Sequence, residues 1–158
     1  MINLSSSISI YRPIPMVFDF ISSAANDFEW QYGTLASSPT SGDPLRTGST
    51  FRTIGHLMGR RMQGLFEITH FEADRHYGFR SLSGPLHLNT LYTLEAQNGQ
   101  TRLSVTTQAT PANVLETNER VIEKFMQKQL RSDLTLLKEL LEARSSLNPP
   151  RVPRGKAA

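Results

Sequence analysis

Arg52 and His56 stand four residues apart in an extended segment, Thr50 to Met58, and therefore share one face of it. A guanidinium beside an imidazole is a combination that could steady an enolate and carry a proton. The segment has two parities. One carries Phe51, Thr53, Gly55 and Leu57, the other Arg52, Ile54, His56 and Met58. If the second parity faces the interior, Arg52 and His56 meet in it. If the first does, both are solvent-exposed side chains, and the cost of isolated buried charge favours that arrangement.

Tyr92 is the clearest polar group aimed inward, because Leu86, Leu88, Tyr92 and Leu94 share a parity while His87 and Asn89 take the other. It serves equally well as a ligand contact or as a core tyrosine bonded to a neighbour. By the same alternation Met62, Phe66 and Ile68 face inward, with Arg61, Glu67 and Thr69 outward. Leu103 and Val105 likewise turn in, with Arg102 out. Tyr77 and Phe79 point in, which leaves Ser81 on the wall and Arg80 outside. Trp30 is expected at one end of the interior, as a lining or a packing residue, and Phe125 and Met126 read as core before they read as ligand contacts.

Other chemistries find no machinery. Cysteine is absent, which removes thiolate nucleophiles, disulfides, iron-sulfur clusters and Cys-bound zinc. The histidines at 56, 70, 76 and 87 lack the helical i, i+4 spacing of a metalloprotease, and there is neither a GxSxG elbow nor a Gly-rich phosphate loop. No metal and no cofactor is expected.

The elements that must position these residues follow from periodicity. Residues 2 to 10 alternate, with Ile2, Leu4, Ile8 and Ile10 on one side, and read as a first strand. Pro15 suits the start of a helix carrying Val17, Phe18 and Ile21, and a second helical turn is expected over Asn26 to Gln31. From Thr34 to Ser49 the Ser, Thr, Pro and Gly content predicts a loop, where a cavity could open. Extended segments follow over Thr50 to Met58, Arg61 to Phe71, His76 to Ser81, Leu86 to Glu95 and Thr101 to Ala109. Asn98-Gly99 between the last two marks a tight antiparallel hairpin. Thr110-Pro111 is expected to cap a final helix whose apolar stripe runs about thirty residues, from Val114 to Leu141. Only the concave face of the curved antiparallel sheet offers it enough apolar surface. Residues 145 to 158, with Pro149, Pro150 and Pro153, read as a disordered basic tail after a domain spanning 1 to 144.

The length of 158 residues suits one domain, and 38% hydrophobic content supports a real core. The formal charge is +3, from 17 Lys and Arg against 14 Asp and Glu. Arg151, Arg154 and Lys156 lie in the tail, so 17 less 3 leaves 14 basic residues against 14 acidic ones in residues 1 to 144. A neutral body argues against nucleic acid as a partner. The N-terminus has no basic segment followed by an apolar run, and no stretch approaches the length of a membrane span. A cytoplasmic protein, monomeric or homodimeric, is expected.

The order strand, two short helices, antiparallel strands and long C-terminal helix resembles the α+β helix-grip fold of the START-like (SRPBCC) superfamily. The residues carrying the resemblance are Pro15-Met16-Val17-Phe18-Asp19-Phe20 with Trp30, Gly48-Ser49-Thr50-Phe51-Arg52, Phe66 to Phe71 running into Gly78-Phe79-Arg80-Ser81, Ser83-Gly84-Pro85, Tyr92-Thr93-Leu94-Glu95, Gly99 to Leu103, and Leu130 to Glu142. Over residues 2 to 144 they look most like the polyketide cyclase/dehydrase-type branch. The resemblance implies a sheet of six or seven strands around the final helix, with a cavity between them, and little specific chemistry.

Three readings of function follow. In the first, the cavity binds a hydrophobic or aromatic small molecule, lipid- or polyketide-like, contacted by Trp30, Phe51, Arg52, His56, Phe66, Phe79, Ser81, Tyr92 and Phe125. In the second, implied by the resemblance, the protein is a cyclase or dehydratase with His56 moving a proton and Arg52 or Tyr92 steadying the oxyanion. In the third, the cavity is closed and the outer sheet face or tail meets a partner protein.

Overall fold

The computed structural model describes residues 1–42, 45–111 and 118–144. Seven strands form one antiparallel sheet: β1 (Ile2–Ile10), β2 (Thr34–Pro39), β3 (Thr50–Leu57), β4 (Arg60–Glu72), β5 (His76–Ser83), β6 (Leu86–Gln97) and β7 (Gln100–Pro111). Their spatial order is β1-β7-β6-β5-β4-β3-β2. Between β1 and β2 lie α1 (Ile14–Ile21), a 3-10 turn (Ala24–Asn26) and α2 (Asp27–Trp30), and the last described element is α3 (Glu119–Ala143). This is the helix-grip α+β architecture.

Local chemistry sets the joints. Asn98 and Gly99 have φ of 50° and 81°, as a two-residue hairpin between Gln97 and Gln100 requires. Met58 and Gly59 make the equivalent turn between β3 and β4, with φ of 50° and 83°. The register of β4 against β5 shifts twice, between Leu65 and Phe66 and between Ile68 and His70, and such irregularities bend a strand and raise its twist. The curved face then receives α3, which buries Ile122, Leu134, Leu137 and Leu141.

Two expectations require correction. The stretch 34–39 is strand β2, paired antiparallel with β3, where loop was expected. It is an edge strand whose sequence, Thr34-Leu35-Ala36-Ser37-Ser38-Pro39, has no apolar alternation because little of it is buried; Pro39, lacking an N–H, falls at its end. Thr110-Pro111 does not cap a helix. Both residues close the β6–β7 ladder opposite His87 and Leu86, since the alternation of β7 continues to its last rung. The helix is capped by Asn118, whose side chain accepts from the Arg120 N–H at 2.8 Å. It holds 25 residues, about 37 Å at 1.5 Å per residue. The expectations for residues 112–117 and for the tail from 145 onward lie outside the described residues.

The buried apolar side chains form two clusters. The larger joins α1, Trp30, Phe51, Ile68, Tyr77, Tyr92, Leu94, Leu103, Val105 and the C-terminal half of α3. The smaller joins Ile2, Leu4, Ala109 and Ile122, with Met58, Leu88, Met126 and Leu130 against it. Space remains between them.

Candidate functional site

That space is a cavity of about 260 Å³. Its walls come from both clusters: Phe51, Phe66 and Phe79 on one side, and Leu4, Leu88, Met126 and Leu130 on the other. The strand pattern explains the aromatic wall, because register places Phe51 opposite Phe66 and Phe79 opposite Ile68 on the inward parity. Phe51 and Phe66 stack with centroids 5.4 Å apart, and Phe79 meets them edge-on at 5.5 and 5.6 Å. Such pairs contribute about 0.5–1.5 kcal/mol each beyond their burial.

The polar part of the lining includes two carboxyls. Asp27 at the start of α2, Asp133 on α3 and Tyr92 on β6 all border the cavity, with Gln31, Gln129, Thr34, Thr53, Thr90 and Thr107. Asp27 is buried, and burial holds its carboxyl well above the usual carboxylate range against the opposing hydrogen bond from Ser37. Ser37 is in turn 2.9 Å from the Thr53 hydroxyl, so a chain of polar groups runs from α2 through β2 to β3. Asp133 is pushed up to about 7 by burial, although its Oδ1 accepts from the Tyr32 N–H at 2.9 Å. Tyr92 is held strongly in its neutral phenol form, first by burial and then by the charges of Asp27 and Asp133.

The expected site residues divide. Phe51, Phe66, Phe79 and Tyr92 line the cavity. His56 borders it with an exposed ring, and Arg52 is exposed and is not part of the lining. The inward parity of β3 is that of Phe51, Gly55 and Leu57, so the two cations do not converge inside. Trp30 is fully buried behind the lining, edge-on to Tyr92 at 6.2 Å, and its indole N–H has no acceptor among the described residues. Ser81 is not a lining residue: the β5–β6 ladder ends at Arg80 opposite Asn89, and the Ser81 hydroxyl accepts from the Leu88 N–H at 2.9 Å. Phe125 is displaced because Ile122, Met126 and Leu130 occupy the inward stripe of α3, about 100° around the helix from it; Phe125 is 37% exposed. Glu67 lies outside the cavity, paired with Arg80 across the strands at 2.9 Å.

Sequence reasoning missed Asp27 and Asp133. The signal was present for the second, since Met126, Gln129, Leu130, Asp133, Leu134 and Leu137 follow the i, i+3, i+4 spacing of one helix face. Among the described residues no group of three His, Asp or Glu side chains could hold a metal ion, and no helix is long and apolar enough to cross a membrane.

A curved sheet closed by one long helix over a partly apolar cavity is the helix-grip arrangement. The chain belongs to the family described as polyketide cyclase / dehydrase and lipid transport, which matches residues 1–142. A comparison with curated proteins found no match. Among solved structures, the protein TTHA0849 from Thermus thermophilus superposes with a TM-score of 0.78 at 17% identity, covering 91% of this chain and 99% of that one. A START superfamily protein from Mycobacterium smegmatis gives 0.78 at 10% identity, covering 90% and 98%. The Zhui aromatase/cyclase from Streptomyces sp. R1128 gives 0.75 at 11% identity, covering 89% and 93%.

Proposed function

We propose that the protein binds a small hydrophobic or aromatic molecule bearing one polar group, held between the sheet and α3. The observation that carries this reading is the joining of an apolar wall, Phe51, Phe66 and Phe79, to a few convergent polar groups at Asp27, Tyr92 and Asp133 in one cavity. Size narrows the ligand. A cavity of about 150 Å³ accepts benzene, so about 260 Å³ suits one ring or two fused rings with a short arm better than a long acyl chain. Native mass spectrometry of the purified chain, repeated after incubation with a panel of such aromatics and with fatty acids, tests the reading. A stoichiometric aromatic adduct supports it; adducts with neither class overturn it.

A second reading, cyclase or dehydratase chemistry, is favoured by Asp133. A carboxyl titrating near 7 beside a neutral phenol is suited to exchange a proton with a bound carbonyl compound. In this reading Asp133 takes the proton-carrying role considered for His56, and Tyr92 donates to the developing oxyanion. Turnover of a polyketide-like substrate that survives Asp133→Asn unchanged would remove it.

A further inference from the structure

We propose that the cavity selects a cation: a small aromatic amine whose ammonium group lies among Asp27, Asp133 and Tyr92 while its ring packs against Phe51, Phe66 and Phe79. The inference rests on the binding reading above and specifies the ligand's charge.

Charge balance is the first support. The lining contains two carboxyls and no Lys or Arg. Arg52, Arg61 and Arg80 are all exposed on the strands around it. An unpaired carboxylate in a low-dielectric site is costly, and the unliganded protein reduces that cost by favouring the protonated acids. A ligand ammonium supplies the missing opposite charge. A ligand carboxylate or phosphate would find no Lys or Arg in the lining and would gain nothing from ionisation of the two acids.

Tyr92 is the second support, independent of the acids. It is 5% exposed, borders the cavity and makes no hydrogen bond among the described residues. A buried phenol normally finds a partner, and its oxygen is free to accept from an N–H of the ligand. The aromatic wall is the third: Phe51, Phe66 and Phe79 line the same cavity as the two acids and offer packing for a ligand ring.

The titratable groups around the site are Asp27 on α2, Asp133 on α3, Tyr92 on β6 and, with an exposed ring, His56 on β3. Ammonium binding favours the ionised acids, so it releases protons near neutral pH and strengthens as pH rises through about 7. A neutral ligand accepting from a protonated Asp133 would show the opposite slope.

Three probes of one shape and different charge decide the matter by calorimetry: tryptamine, tryptophol and indole acetate. At about pH 8 tryptamine is expected to bind at least tenfold more tightly than tryptophol and indole acetate more weakly than both, with the tryptamine advantage shrinking near pH 5. Asp133→Asn and, separately, Asp27→Asn should each cost tryptamine more than they cost tryptophol. Tryptophol or indole acetate binding as tightly as tryptamine overturns the charge assignment and leaves the cavity reading standing. No heat and no mass-spectrometric adduct with any of the three overturns both.

Discussion

The main-chain N–H of Tyr32 donates to the Asp133 carboxylate at 2.9 Å, tying the residue two past the end of α2 to the middle of α3 across 101 positions of sequence. The same carboxyl borders the cavity. One group therefore holds the helix against the short connection to β2 and presents a charge, or a proton, to whatever the cavity contains.

A consequence for stability follows from its titration. The folded value of about 7 lies above the ordinary 3.8, so the stabilisation linked to this group is fully present below about pH 3.8 and is lost as pH rises through 7. A shift of that size corresponds to an upper bound of about 4 kcal/mol, reduced by the partial exposure of Asp133. Asp133→Asn keeps an oxygen for the Tyr32 N–H and cannot ionise. Thermal denaturation should show the variant melting a few degrees above the parent at about pH 8 and level with it near pH 4. A variant less stable at both would mean that the carboxyl is compensated by a partner.

Arg52 and His56 give a contrasting expectation. Both are exposed on β3. Arg52→Ala and His56→Ala should each leave stability within about 0.5 kcal/mol. Ligand affinity should change by less than about threefold, against roughly tenfold or more for Asp133→Asn. A large loss of affinity in either alanine variant would place a cation in the site and contradict the acidic reading.

How much of this was legible in the sequence depended on burial. Strands β3 to β7 and the stripe of α3 bury one face, so alternation and helical spacing revealed them, down to the Asn98-Gly99 turn. Strand β2 pairs along the sheet edge with Leu35 half exposed, and nothing in Thr34 to Pro39 distinguished it from loop. Asp27 and Asp133 escaped notice because carboxylates ordinarily signal solvent. Their burial is tertiary, produced when α2 and α3 meet over the sheet. Periodicity on α3 carried the information for Asp133; the four residues of α2 are too few to have carried it for Asp27.

Gly55 tests the packing beneath the site. A Cβ built there would lie 2.1 Å from the Gly33 carbonyl oxygen, a main-chain atom that also accepts from the His56 N–H at 2.7 Å. Gly55→Ala must push β2 and β3 apart. It should cost about 1–3 kcal/mol in chemical denaturation and weaken ligand binding with it. A neutral effect would show that the two strands can separate freely.

Trp30 offers a direct optical test. It is the chain's one tryptophan, and its ring meets the ring of Tyr92, which borders the cavity. A non-fluorescent occupant such as phenethylamine should alter Trp30 emission with the same midpoint that calorimetry gives. Tyr92→Phe should weaken the affinity while leaving the optical change in place. Emission that stays constant through calorimetric saturation would put the ligand elsewhere.

The long helix is fastened unequally along its two sides. Toward β1, Lys138 Nζ donates to the Ser9 carbonyl at 2.6 Å, Gln127 to the Ser5 carbonyl at 3.2 Å, and Arg12 returns to the carbonyls of Glu142 and Arg144. Toward α2 and β2, the Tyr32–Asp133 contact is the one hydrogen bond to α3 among the described residues. The β1 side of α3 is thus tied at several points and the α2 side through one carboxyl, so an occupant that changes the protonation of Asp133 is expected to change the strength of that single tie as well.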